Sequence, residues 1–176
     1  MKRLSVAMTG ALALTLFSSP AARGDEPGQQ GTTLKVHPIG RVKKTDDRTL
    51  IVLDEKYQPG LLGLEGFSHI YTFWWFDKND HPQKRSILQV HPMGNRKNPL
   101  TGVFATRSPV RPNLLALTLC KVVSVKDNVI EIEKTDAFDG TPVLDIKPFI
   151  PGYDSTPDAV VPDWLERART QRQAKR

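Results

Sequence analysis

The sequence predicts an all-β fold, and three observations carry that expectation. Short apolar runs of strand length recur between turn residues, one arm of a hairpin alternates strictly, and a helical pattern is confined to the last dozen residues. With no internal repeat and a length of 176 residues, that means one barrel or sandwich domain with a short basic C-terminal helix.

The elements follow in order. Residues 34–42 (LKVHPIGRV) and 48–55 (RTLIVLDE) read as strands, and structure is expected to begin near Leu34. Residues 67–76 (FSHIYTFWWF) put Phe67, His69, Tyr71, Phe73 and Trp75 on one face and Ser68, Ile70, Thr72, Trp74 and Phe76 on the other. Both faces turn apolar toward the C-terminal end, as in a central strand covered on two sides. Residues 78–85 form a charged loop, 86–94 (SILQVHPMG) a further strand, and 95–99 a turn. Residues 114–134 read as a hairpin turning at Asp127-Asn128, with Val129, Glu131 and Glu133 alternating against Ile130 and Ile132. Residues 143–151 (VLDIKPFIP) are a last strand stopped by prolines. Asp163 and Glu166 have capping-box spacing before a helix over 164–174.

The ends have their own character. Lys2 and Arg3 precede an uncharged apolar stretch over 4–17, and Ala22-Arg23-Gly24 offers small residues before Asp25. That is the pattern of a secretory signal peptide over 1–24, too short for a stable membrane anchor, and it predicts an exported, periplasmic or secreted protein. Residues 25–33 read as a disordered spacer, 34–155 as the β domain and 156–176 as a basic helical tail. The formal charge is +6, and losing Lys2, Arg3 and Arg23 lowers it to +3. From Trp164 onward, Arg167, Arg169, Arg172, Lys175 and Arg176 stand against Glu166, a net +4, which leaves the body at −1. A near-neutral body argues against a broad phosphate-binding face, while local clusters can still bind one. The tail reads either as a solvated amphipathic helix or as a contact surface for RNA or an anionic membrane.

Motifs exclude several chemistries. GxSxG, Walker and GxGxxG patterns are absent, the four histidines (His37, His69, His81, His91) lack zinc spacing, and Cys120 is the single cysteine. No metal site is expected. Two segments stand out instead. In residues 102–113 (GVFATRSPVRPN), Pro109 and Pro112 fix their own φ and stiffen a platform bearing Arg107 and Arg111, with Thr106, Ser108 and Asn113 able to hydrogen-bond. Such a loop is either a hairpin corner or a clamp for a carboxylate or phosphate. In residues 136–151 (DAFDGTPVLDIKPFIP), Asp136, Asp139 and Asp145 cluster near one turn, which calls for Arg107, Arg111 or a bound cation to neutralise them.

These two segments, with LEGFSHI at 64–70, resemble in order and wording the TsaA-like family of TrmO-type tRNA methyltransferases, over residues 36–154. FATRSP-x-RPN and DGTPVLDIKP are long and irregular, so the resemblance is specific. It implies a β-barrel, commonly a homodimer, that binds S-adenosyl-L-methionine and methylates threonylcarbamoyladenosine beside the tRNA anticodon. Carried over by position, cofactor contacts fall on Asp77, Lys78, Arg107, Leu117, Asp139, Gly140, Thr141 and Pro142, and RNA contacts on Arg111 and Asn113. A general base is not named by the sequence; Asp139 is the nearest to one. The chain departs from the family pattern where EKYQPGLLG replaces the usual Pro-Arg-Gln segment, and where Leu114-Leu115-Ala116 follows RPN instead of Pro-Ile-Gly. Export and a tRNA substrate conflict. The alternatives are a cytoplasmic methyltransferase, an exported barrel binding a different small ligand, and an interaction module without a pocket.

Overall fold

The structure, a computed structural model, describes residues 33–173. The leader expected over 1–24 and nearly all of the spacer expected over 25–33 lie outside them. Eight strands and three α-helices, with short 3₁₀ turns between them, follow in chain order: β1 Gly40–Lys44, β2 Thr49–Leu53, β3 His69–Trp75, α1 Pro82–Arg85, β4 Gln89–Val90, β5 Thr101–Gly102, β6 Leu115–Lys126, β7 Val129–Ile132, β8 Pro142–Pro148, α2 Pro151–Asp154 and α3 Asp163–Gln173. Six strands close into an antiparallel barrel in the order β1-β2-β7-β6-β3-β8, with β8 returning to β1.

Alternation decides which side chains fill it. Ile70, Thr72 and Trp74 of β3 are buried and point inward with Cys120 and Ala116 of β6, meeting Val42, Ile51, Ile130 and Val143 from the other strands. Each fully buried aliphatic side chain here contributes about 1.5 to 3 kcal/mol of transfer free energy. The polar atoms in this interior are satisfied: the Trp74 indole donates to Thr118 Oγ1 at 2.9 Å, and the Thr72 hydroxyl donates to Cys120 Sγ at 3.7 Å. Burial pushes the Cys120 thiol above its ordinary value, so it stays protonated at neutral pH.

At Gly40 the β1 and β2 backbones approach closely. A Cβ there would lie 2.2 Å from the Val52 carbonyl oxygen, so only glycine permits the pairing of Gly40 with Leu53. The β6-β7 turn falls at Asp127, φ 54°, where the sequence places it.

The structure departs from the sequence expectation at four places. Regular structure begins at Gly40, six residues after Leu34; residues 34–38 are exposed or nearly so, and Ile39 makes the first ladder bond, to Val143 O at 2.8 Å. The strand expected over 86–94 shrinks to β4, which pairs with β5 off the barrel. Pro92 removes a donor, and Met93 and Gly94 adopt positive φ, which together end the ladder. Residues 78–85 are not a plain loop but a 3₁₀ turn at Asp77–Asn79 followed by α1. At the tail, α3 starts at Asp163, and Pro162 O accepts its first bonds. Glu166 does not close a capping box; its carboxylate pairs with Arg169 at 3.3 Å.

Candidate functional site

Strand register gathers the sequence-nominated residues at one end of the barrel. β3 lies between β6 and β8, and its last residues pair with the first residues of both: Trp75 with Leu115, Trp74 with Val143. Asp77 and Lys78, which follow β3, therefore share an end with residues 106–113 running into β6 and residues 139–142 running into β8. Leu117 sits two residues inside β6, opposite Phe73, on the outer, half-buried face of the sheet.

The arginine loop is braced by its own side chains. Thr106 Oγ1 donates to Val103 O at 2.9 Å and accepts from the Ser108 amide at 3.2 Å. Arg111 turns back on the loop, donating to the carbonyls of Thr106 and Ser108 at 3.4 and 3.5 Å. Its role is thus internal support, whereas Asn113 is exposed. A second brace comes from α1: Arg85 donates to Pro112 O at 2.9 Å and to Asp80 at 2.9 Å, while the Trp75 indole donates to the other Asp80 oxygen at 3.1 Å. The Arg85 guanidinium also lies over the Trp75 ring, 5.3 Å from its centroid. The hydrogen bond from Arg85 holds the Asp80 carboxyl below its usual range, with the Trp75 indole assisting against partial desolvation. What this bracing leaves outward is Arg107. It is exposed and makes no hydrogen bond or ion pair among the described residues.

The aspartate turn is built differently, by strand backbone. Gly140, φ 78°, donates its amide to Val42 O at 2.9 Å, and the Val42 amide donates to Thr141 O at 2.9 Å. The Lys44 amide donates to Asp139 Oδ1 at 2.8 Å, and the Arg41 guanidinium donates to Gly140 O at 3.1 Å. Thr141 and Pro142 are buried. Beside this turn lies a recess of about 570 Å³ lined by Gly40, Arg41, Lys43, Asp54, Asp139 and Gly140, among others. Its size falls in the range of small-molecule sites. Arg107 and Leu117 do not line it.

One expectation is corrected here. The acidic cluster is not neutralised by Arg107 or Arg111: Asp145 pairs with Lys147 at 2.9 Å, and Asp139 is held by the Lys44 amide. Alternation along β8 and entry into the turn point these carboxylates to local partners, so a cluster in sequence is dispersed in space. At the end of β3, Lys78 lies 3.4 Å from the Asp77 carboxylate. Sequence reasoning missed Arg41, Lys44, Asp80 and Arg85. Nothing in their local pattern marks them, since Asp80 stands five residues from both Trp75 and Arg85, a spacing with no helical or strand periodicity. Lys44 and Arg41 reach Thr135, Asp139 and Gly140 across more than ninety residues.

Residues 32–155 match the model of the tRNA-methyltransferase O N-terminal domain. The chain belongs to this family. Among its relatives, a probable S-adenosyl-L-methionine-binding protein of Methanocaldococcus jannaschii is 45% identical over 64% of this chain and 89% of its own length. The tRNA (adenine(37)-N6)-methyltransferase of Mus musculus is 42% identical over 66% of this chain, but this covers 26% of that enzyme. The crystal structure of TrmO from Pseudomonas aeruginosa superposes with a TM-score of 0.58 at 26% identity, covering 73% of this chain and 62% of that one. The closed barrel agrees with this assignment.

Proposed function

We propose that this chain is an S-adenosyl-L-methionine-dependent methyltransferase acting on a tRNA adenosine, with its site at the barrel end formed by residues 77–78, 106–117 and 139–142. The observation that carries this reading is the convergence of the two family motifs there, with Arg107 exposed and uncommitted on the braced loop.

The side chains fit the cofactor's chemistry. A guanidinium without an internal partner is suited to an amino-acid carboxylate, Leu117 offers an apolar wall, and the backbone of Asp139 to Pro142 offers carbonyl oxygens at fixed positions. Bound S-adenosyl-L-methionine supplies an electrophilic methyl group. The chain's own contribution is alignment and exclusion of water, with Arg107 anchoring and the turn orienting. Asp139, if it accepts a proton from the substrate, does so through Oδ2, since Oδ1 is held by the Lys44 amide. The finer substrate, threonylcarbamoyladenosine, and a homodimer belong to this proposal. Support for a dimer comes from Leu115 and Leu119, 46% and 44% exposed on the outer face of β6.

Calorimetric titration of the purified chain with S-adenosyl-L-methionine tests the core claim. Saturable heat with wild type, lost in Arg107→Ala, is expected; no heat with wild type rejects the cofactor. Export, proposed from residues 1–24, carries the reading of a barrel with a different ligand. Mass spectrometry of the mature N-terminus separates the two, since a start at Met1 removes export and a start at Asp25 removes the cytoplasmic substrate.

A further inference from the structure

Charge is unevenly placed on the body of the chain. The connection between β3 and β6, residues 76–114, carries seven cations against Asp77 and Asp80, a net +5, so the other residues between Asp25 and Asp163 carry −6. Both ends of this connection lie at the candidate site, since Trp75 pairs with Leu115 and the Phe76 amide donates to Leu114 O at 2.9 Å. Cations occur elsewhere too, but in company. In β1, Arg41 and Lys44 are tied to the carbonyls of Gly140 and Thr135, and Asp46 and Asp47 follow. In β6, Lys121 pairs with Glu133 at 2.7 Å.

Within the connection the cations divide by task. Arg85 and Arg111 hold the arginine loop, and Lys78 lies beside Asp77. Lys84, Arg96, Lys97 and Arg107 are exposed, and their side chains make no hydrogen bond or ion pair among the described residues. Arg96 and Lys97 stand at the tip of the β4-β5 hairpin, and that tip is stiff. His91 Nδ1 donates to Asn98 O at 2.8 Å, Asn98 Nδ2 donates to Pro92 O at 2.9 Å, and Asn95 Oδ1 accepts from the Lys97 amide at 3.0 Å. At the base of the hairpin, where the Val103 amide donates to Leu88 O at 2.9 Å, Phe104 is 78% exposed and shortly precedes Arg107. A fixed tip gives its cations to a ligand at little conformational cost. A bare ring among cations is the combination that holds an unstacked base and its phosphates. The centre of a protein interface is depleted of lysine, and a membrane surface is met by a long amphipathic helix, whereas α1 has four residues.

We propose that the β3-β6 connection is the arm on which the RNA substrate docks: Lys84, Arg96 and Lys97 take backbone phosphates beside the target adenosine, and Phe104 stacks on a neighbouring base. The inference rests on the tRNA-methyltransferase reading and supplies the RNA contacts that Arg111, turned back on its own loop, does not make. It also divides the labour of one segment, in which Arg107 serves the cofactor while the hairpin and α1 serve the nucleic acid.

The test is fluorescence anisotropy of the full chain with an unmodified tRNA transcript over a range of salt, beside a variant with Lys84, Arg96 and Lys97 changed to Gln and beside Phe104→Ala. Losing three phosphate contacts lowers the slope of log K against log salt by about 2 to 3 and weakens low-salt binding about 10-fold or more. Phe104→Ala weakens binding about 10-fold with the slope unchanged, because stacking releases no counterions, and Phe104→Trp keeps the affinity. Changing Lys84 and Lys97 to Arg and Arg96 to Lys keeps both affinity and slope. Binding of S-adenosyl-L-methionine, titrated in parallel, is the same throughout; its loss in the Gln variant gives these cations to the cofactor and overturns the arm. Equal transcript affinity and slope in wild type and the Gln variant overturn the arm and leave the methyltransferase reading standing. A change from dimer to monomer on Phe104→Ala, seen by sedimentation, gives the ring to a second copy of the chain and overturns the stacking role. Wild type that ignores the transcript but binds phosphatidylserine vesicles through the three cations overturns the arm in favour of a membrane. Wild type that ignores both overturns the arm and the tRNA substrate together. Wild type that binds the transcript through these residues but takes no S-adenosyl-L-methionine upholds the arm and rejects the cofactor.

Discussion

The two segments that make the candidate site are held by opposite means. The turn at 139–142 is fastened by backbone bonds to β1 and by the Lys44 amide, so it is part of the barrel wall. The loop at 106–113 hangs on side chains, Thr106, Ser108 and Arg111 from within and Arg85 from outside. A wall is disturbed by anything that disturbs the fold. A loop with one uncommitted arginine can lose its function while the fold survives.

The largest effect expected is on the wall. Gly40→Ala forces a methyl group into the Val52 carbonyl and should cost about 3 kcal/mol, a fall in Tm of roughly 10 °C by thermal melting. A Tm within a degree of wild type would mean that the β1-β2 approach is not what fixes the wall. Next is the loop: Arg107→Ala should weaken S-adenosyl-L-methionine about 10- to 100-fold, the value of about 1.5 to 3 kcal/mol for a charge-assisted bond, with Tm unchanged. A coupled drop in Tm would show that Arg107 serves structure and erase the contrast. Asp139→Ala should cost about 1 kcal/mol in urea unfolding, from the lost bond to the Lys44 amide, while Asp139→Asn, which keeps an acceptor, should cost less.

The smallest effect is a pH dependence in the loop's outer brace. The Asp80 carboxyl titrates below its ordinary 3.8 when folded, chiefly through the hydrogen bond from Arg85. A lowered folded value means that the brace is fully present above about pH 4 and is lost as pH falls through the lowered value. The Trp75 indole N–H resonance, followed by NMR, should shift in that acid window in wild type and not in Asp80→Asn. An unchanged profile would place the brace on the cation-π contact instead.

This contrast also explains what could be read from the sequence. β2, β3, the β6-β7 hairpin and β8 were legible because alternation and the Asp127-Asn128 turn are local signals. β4 was overread because its apolar residues carry no mark of Pro92 and Met93 ending the ladder. Arg107 and the Asp139–Pro142 turn could be nominated from motif wording, but their setting could not. Asp145 was grouped with Asp139 by proximity in sequence, and β8 turns it to Lys147. The brace through Asp80 and Arg85 depends on where β3 ends relative to residue 112, which only the assembled barrel decides.

The seam between β1 and β8 joins the first strand of the barrel to the last, with Gly40 facing Val143 across about a hundred residues of chain. A ring closed by its two most distant strands cannot form during synthesis until residue 143 has emerged, and such non-local pairing is slow. The Gly140 bond to Val42 lies on that same seam. The recess beside it is therefore among the last features to appear as the chain folds. A product ending short of β8 would have most of its strands and no site at all, so ligand binding would report completion of the ring.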